Sequence, residues 1–581
     1  MLTSIVILTH NKLDYTIQCI ESIRRYTRPN SYEIIVVDNQ STDETVPWLS
    51  AQSDIRAIFN EQNEGFPKGC NQGIEISNGD HILLLNNDVI VTENWLENMM
   101  TCITSDESIG AVSCITNHCS YGQMIPVPYN TVESMYLFAE EHNCSNRNEW
   151  EERLKLVGFC MLIRKSVVDK IGLLDERFTP GNYEDDDYSI RIRKAGYKLI
   201  LCKDTFIHHY GSTSFRENND SFVKLLQTNV KKYENKWGFN PDYSQHIRTE
   251  IVNLIDSPLD AKLNVLEVGC ACGGTLLKIK NVYKNSTLYG IELNEKAAEV
   301  ASLIAEVSAS NIETEQLPYP ESHFDYVIFA DVLEHLYDPW KVLINIKQYL
   351  KPNGKVLISL PNIMHQSVIR PLLHGYWTYQ DAGILDRTHV RFFTLHEINK
   401  MLLETGYANI NIQGKTLPGT VEEQKFMDNL SKVLPQHVMQ QFEVYQYIAS
   451  VQNNEPLKKT IRYIREHITE TAEIVQQLNS YSPLEIIHNV NEEASEQKVN
   501  ILNAIAVSYF EQEMYQKVLP FLEEALASDE SNIETLYNSS YVLYFIGETE
   551  LGKKYAQKLK AVDEAAYEDL EKVISDFLIE M

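Results

Sequence analysis

The sequence predicts a multidomain α/β protein ending in an all-α tail, and three patterns predict it. Short apolar strands alternate with amphipathic helices over residues 4–245. A second alternation of the same kind runs over 251–414, and beyond it the pattern turns entirely helical. At 581 residues the chain is also too long for one hydrophobic core. We place the domain limits at 1–247, 248–415, 416–498 and 499–581, the third a helical linker and the fourth a set of helical repeats.

Composition narrows the class. Hydrophobic residues make up 44% and aromatics 10%, with no tract dominated by Pro or Gly, so the whole chain is expected to fold. The formal charge of −30 works against a nucleic-acid partner, because such binding rests on Lys and Arg displacing counterions. The opening apolar run has no basic flank and reads as a first buried strand rather than a leader. No segment approaches the roughly 20 apolar residues of a spanning helix, so a cytoplasmic location without a transmembrane segment is expected. The 10 cysteines show no repeated CxxC spacing, which fits reduced thiols better than a disulfide framework or structural zinc.

In the first domain the clearest strands lie at 5–8, 34–37 and 82–85, each followed by polar residues where ligands gather in open α/β sheets. Val36-Val37-Asp38-Asn39 ends a strand with an acid able to hold a ribose or a base edge. Asn63-Glu64-Gly65-Phe66-Pro67-Lys68-Gly69-Cys70-Asn71-Gln72-Gly73 follows, with glycines for close backbone approach and amides offering donor and acceptor. Asn86-Asn87-Asp88 then places a hard oxygen ligand just past a buried strand, suited to Mg²⁺ or Mn²⁺.

In this order and spacing, and with the opening Thr9-His10-Asn11, these stretches resemble family 2 glycosyltransferases of the GT-A fold over roughly residues 3–240. Two further stretches match. Gly158-Phe159-Cys160-Met161-Leu162-Ile163-Arg164-Lys165 looks like the strand beneath the acceptor, and Tyr183-Glu184-Asp185-Asp186-Asp187-Tyr188-Ser189-Ile190-Arg191 like the acidic helix start. The resemblance implies an inverting transferase that takes a UDP-, dTDP- or GDP-linked sugar. It assigns donor binding to Thr9, Asn11, Asp38, Asn63, Gly65, Asn71 and Asp88. The chemistry needs a base on the acceptor hydroxyl and a cation on the leaving diphosphate. Asp185 is the expected base, with Glu184 the alternative, while Asp187 pairs with Arg191 one turn on. A divalent cation is expected on Asp88 and His209, two residues before Gly211-Ser212, with His208 able to serve instead. The family's two-acid motif here has one charge fewer, which predicts a weaker metal site.

In the second domain a buried strand runs through Glu267 into Gly269-Cys270-Ala271-Cys272-Gly273, and Leu288-Tyr289-Gly290-Ile291-Glu292 ends the next strand with an acid. Together with the segment running from Phe324 through Asp331-Val332-Leu333-Glu334-His335, and with Leu350-Lys351-Pro352-Asn353-Gly354, these resemble class I S-adenosylmethionine-dependent methyltransferases of Rossmann-like fold over roughly residues 250–415. A nicotinamide-binding domain is the rival, and the last two stretches favour the methyl donor. The resemblance assigns donor binding to Glu267, Gly269, Gly273, Glu292, Asn311 and Asp331. Methyl transfer to a hydroxyl needs a base, for which His335 and His389 are the candidates. Ala271 departs from the family's middle glycine.

The tail shows a repeat of 34 residues, Leu502 recurring as Leu536 and Ala506 as Ser540, which is the tetratricopeptide period. Two repeats are expected to lean on the preceding helices or on a second copy of the chain, and to dock an acceptor protein. The reading is a bifunctional enzyme of surface-glycan or flagellin-glycan synthesis acting on a glycan or glycoprotein. The rival is a chain with one active domain, serving as a scaffold in polysaccharide or lipid-linked oligosaccharide assembly.

Overall fold

The computed structural model describes residues 1–211, 219–468 and 471–580, so Ser212 of the His209 motif lies outside the described residues. The chain forms two compact units, 1–315 and 316–581. Among the described residues the first unit contains an eight-stranded sheet and a two-stranded one. The strands are β1 (Thr3–Thr9), β2 (Tyr32–Asp38), β3 (Ile55–Phe59), β4 (His81–Asn86), β5 (Val89–Ile90), β6 (Ile109–Ile115), β7 (Trp150–Arg153), β8 (Cys160–Arg164), β9 (Lys198–Phe206) and β10 (His208–His209). The large sheet has the order β3-β2-β1-β4-β8-β6-β9-β7, while β5 and β10 form the small one.

β1 lies between β2 and β4 with both pairings parallel, and its apolar run is buried on both faces, as a strand covered by helices requires. Register then does the positioning. Thr9 pairs with Asp38 and Leu8 with Asn86, so the carboxyl ends of three strands present their polar residues side by side. The helix Phe66–Glu75 lies close against β1: a Cβ at Gly69 would meet Leu8 Cδ1 at 2.3 Å, and one at Gly73 would meet Val6 Cγ1 at 2.4 Å. The glycine spacing of that stretch serves helix-on-strand packing.

Residues 264–309 add β11 (Asn264–Val268), β12 (Thr287–Glu292) and β13 (Glu306–Ala309), a parallel set with β12 in the middle. The Asn294 side chain caps the helix Glu295–Ala301 by accepting from the Lys296 and Ala297 amides.

The second unit contains β14 (Phe324–Ala330), β15 (Leu350–Pro361), β16 (Tyr407–Thr416) and β17 (Val444–Asn453). β14 and β15 are parallel, and β17 runs antiparallel between β15 and β16. This corrects the expectation of an entirely helical chain beyond 414. β17 falls in the supposed helical linker, where pairing on both edges overrides a sequence without clear alternation. The remaining tail is helical. Leu502 and Ala506 are buried in one cluster with Leu457, Ile461, Leu478 and Ile486, so the first repeat shares its core with the helices before it. Leu536 and Ser540, one period later, are buried as well. No helix among the described residues is long and apolar enough to cross a membrane.

Candidate active sites

The antiparallel pairing of β10 with β5 sets His209 opposite Val89, next to Asp88. His209 Nε2 lies 3.2 Å from Asp88 Oδ1 and 3.5 Å from the Asn86 amide nitrogen. His209 Nδ1 is 2.8 Å from the His118 carbonyl oxygen, a contact that places its proton on Nδ1 and leaves the Nε2 lone pair for a ligand. Phe159 stacks on the ring at 5.2 Å and fixes its plane. A carboxylate and an oriented imidazole with room for further ligands suit Mg²⁺ or Mn²⁺. Asn87 turns away and donates to Thr9 and Thr16. His208 faces Tyr129 at 2.8 Å, and burial lowers its pKa to about 4.

The helix Glu184–Lys194 starts with four acids, each in a different environment. Asp187 is fully buried and takes hydrogen bonds from Arg191 Nε at 2.9 Å and Trp237 Nε1 at 3.0 Å, beside Lys236. Asp186 is paired with Lys155, and burial raises its pKa to about 7. Glu184 is buried, and burial together with the Asp185 charge holds its carboxyl well above the usual range. Asp185 is half-buried and receives the Gly158 amide at 3.0 Å. Of the four, Asp185 is the least buried. It lines a cavity of about 620 Å³ together with Asn86, His209, Glu184, Lys155 and Gln245. His209 and the acidic helix thus meet in one space.

The remaining donor-assigned residues divide. Asp38 is buried, with Oδ2 taken by the Ser41 amide at 3.0 Å and Oδ1 without a protein partner, which fits a ligand hydroxyl or base edge. Asn11 ties two loops together, its Oδ1 accepting from the Thr42 amide at 2.7 Å. Asn63 Oδ1 accepts from the Gly65 amide. Thr9 shares its hydroxyl with Thr16 at 2.9 Å. Gly65 abuts Thr179, whose Cγ2 would lie 2.7 Å from an added Cβ. Asn71 is buried and commits its amide to Leu174 and Glu176. Gly65 and Asn71 therefore brace the loop that leads to the acidic helix.

Four contributors were not singled out from sequence: His118, Phe159 as a ring platform, Lys155 and Asn229. Lys155 carried a signal, a lone cation within Leu154-Lys155-Leu156. Asn229 carried none. It is fully buried and donates to the Phe178 and Gly181 carbonyls at 2.8 Å each, holding the turn in which Asn182 and Tyr183 adopt φ of 76° and 73°.

In residues 264–309 the turn after β11 has left-handed backbone at Gly269, Ala271 and Gly273, and the helix Gly274–Val282 follows. Glu292 is buried and accepts the Ala271 amide at 2.8 Å and the Asn294 amide at 2.8 Å, so it anchors the turn. Asn311 caps its own loop by accepting from the Glu313 amide. A Cβ at Gly273 would meet Ile304 Cδ1 at 2.6 Å. Glu267 is buried, and Oε2 has no protein partner. A glycine turn at a helix start with two buried carboxylates beside it fits a ribose-bearing cofactor such as S-adenosylmethionine.

Two stability predictions arise here. Ala271 has φ of 49°, where an L side chain is strained. Ala271→Gly should raise stability by about 1 kcal/mol, read as a higher unfolding midpoint. Burial raises the Glu267 pKa from 4.5 to about 8. Because the folded value exceeds the unfolded one, its stabilising contribution is complete below pH 4.5 and is lost as pH rises through 8. Glu267→Gln should flatten that decline, on the order of a few kcal/mol, in the unfolding transition that S-adenosylmethionine shifts.

In the second unit Asp331 receives the Ser359 hydroxyl at 2.7 Å and a hydrogen bond from Gln446. His335 and His389 stand together, ring centroids 4.7 Å apart.

The family model for glycosyl transferase family 2 matches residues 4–172, and a methyltransferase-domain model matches residues 241–412. Over 29% of its length the chain is 30% identical to the low-salt glycan biosynthesis hexosyltransferase Agl10 of Haloferax volcanii, of which it covers 56%. It is 25% identical over 35% of its length to the glycosyltransferase GlyG of Streptococcus pneumoniae, covering 68% of that protein. It is 26% identical over 36% of its length to a ubiquinone biosynthesis O-methyltransferase of Rickettsia canadensis, covering 92%. The chain thus spans little more than half of the hexosyltransferase.

Proposed function

We propose that this transferase, which joins a family 2 glycosyltransferase domain to a methyltransferase domain, adds one sugar to a glycan or glycoprotein hydroxyl and methylates a sugar hydroxyl of the same glycan. The observation that carries the first step is the cavity shared by His209 and Asp185. Asp185 takes the proton of the acceptor hydroxyl. The acceptor oxygen bonds to the anomeric carbon as the bond to the nucleoside diphosphate breaks, its electron pair staying on the phosphate oxygen, and the configuration inverts. Asp88 and His209 would hold a divalent cation, which supplies charge neutralisation to the diphosphate. Asp38 binds the donor nucleotide, UDP-, dTDP- or GDP-linked.

S-adenosylmethionine is the methyl donor, with Glu292 and the turn at Gly269 and Gly273 at its ribose and carboxyl ends. Covalent joining gives the second step an effective substrate concentration on the order of millimolar. Both donors are cytoplasmic metabolites, which supports a cytoplasmic location. The helical tail docks the acceptor, flagellin being the leading choice, or pairs with a second copy of the chain. Mass spectrometry of surface glycans from cells with and without the intact enzyme tests the reading. A loss of one sugar plus one methyl group is expected, and unchanged masses would overturn it.

A further inference from the structure

The geometry points to a second divalent-cation site, made by Glu334, His335 and His389, whose open positions take paired hydroxyls of the methyl acceptor. The use of those positions rests on the methyltransferase reading, whereas the site itself stands on geometry. One ligand atom from each of the three residues lies within 4.8 Å of the other two. Glu334 and His335 sit on the short helical turn Leu333–His335. The Val390 and Arg391 amides both donate to the Glu334 carbonyl, at 2.9 and 3.0 Å, clamping the His389 loop onto that turn.

The second observation is the orientation of the rings. His335 Nδ1 is 3.3 Å from the Thr388 carbonyl and His389 Nδ1 is 2.9 Å from the Ile384 carbonyl. Each contact places a proton on Nδ1 and leaves Nε2 as a ligand atom, the arrangement in which metal-binding histidines are held. Asp386 lies on the same loop, its carboxylate held by the Thr388 hydroxyl at 2.6 Å and the Thr388 amide at 2.8 Å. Two imidazoles and a carboxylate suit Mn²⁺, Fe²⁺, Co²⁺ or Zn²⁺ and leave positions for oxygen ligands.

Chemistry favours vicinal hydroxyls in those positions. They chelate such ions, and a bound cation lowers the pKa of an oxygen ligand, which a nucleophilic hydroxyl needs. Aromatic rings nearby supply the apolar face that sugars stack on. Trp377 packs edge-on to Phe392 at 5.6 Å, Phe392 lies 6.5 Å from His389, and Tyr376 and Tyr379 are exposed. His335 and His389 thereby change role, from expected proton acceptors to ligands.

Co²⁺ is the probe, added to the full chain carrying His209→Ala so that the glycosyltransferase site does not contribute. Visible absorption from one bound Co²⁺ is expected, and adding His389→Ala or Glu334→Gln should weaken binding at least tenfold. Binding of equal strength in all three chains, or no Co²⁺ absorption in the first, would overturn the site. S-adenosylmethionine binding is measured on the same samples. Retained binding by the His389→Ala chain shows that it is folded, and its absence from every chain, with Co²⁺ behaving as expected, removes the methyltransferase role alone.

Discussion

Asp185→Asn lowers the glycosyl-transfer kcat by about a thousandfold and leaves donor binding intact, while Glu184→Gln keeps most of the activity. The two outcomes separate neighbouring acids by their surroundings. Glu184 is buried, and burial with the Asp185 charge pushes its carboxyl toward the protonated form, whose shape and hydrogen bonding glutamine copies. Asp185 has its carboxylate at the cavity, with the Gly158 amide on one oxygen and the Asp186 amide on the other. Initial-rate kinetics with a donor-binding titration check both variants. Full activity in Asp185→Asn would move the base elsewhere.

His209→Ala raises the Mn²⁺ concentration for half-maximal transfer at least tenfold, and excess Mn²⁺ restores part of the rate. Loss of even an outer-shell partner costs metal sites about 10- to 100-fold in affinity, and a ligand should cost no less. The site brings a single carboxylate, because Asn86 stands where a second acid would add charge and Asn87 is turned to Thr9 and Thr16. Asn86→Asp should therefore shift the Mn²⁺ dependence the other way. Metal titration of activity after chelator treatment measures both changes.

Much of the first site was legible because its information is local. An acid that ends a buried strand, as Asp38 does, sits where parallel strands deliver ligands, and sequence shows both strand and acid. A helix opening on Glu184, Asp185, Asp186 and Asp187 is equally visible, but their division of labour is not. It is decided by Lys155, Lys236 and Trp237, which come from distant parts of the chain. The same limit explains Asn71, which looked like a donor contact until Leu174 and Glu176, about 100 residues away, took its amide. Glycine spacing misled in a similar way. Gly69 and Gly73 allow close approach as expected, but of helix to strand. β17 was missed because its place is fixed by β15 and β16 on either side rather than by its own residues.

The most direct measurement is a crystal structure of the chain with Mn²⁺ and an intact nucleotide-sugar analogue. The cation should bind Asp88 and His209 at roughly 2.2 Å with the diphosphate completing its shell, and the anomeric carbon should face Asp185 across the cavity. A donor whose diphosphate lay away from His209, or whose sugar turned its reacting face from Asp185, would contradict the account.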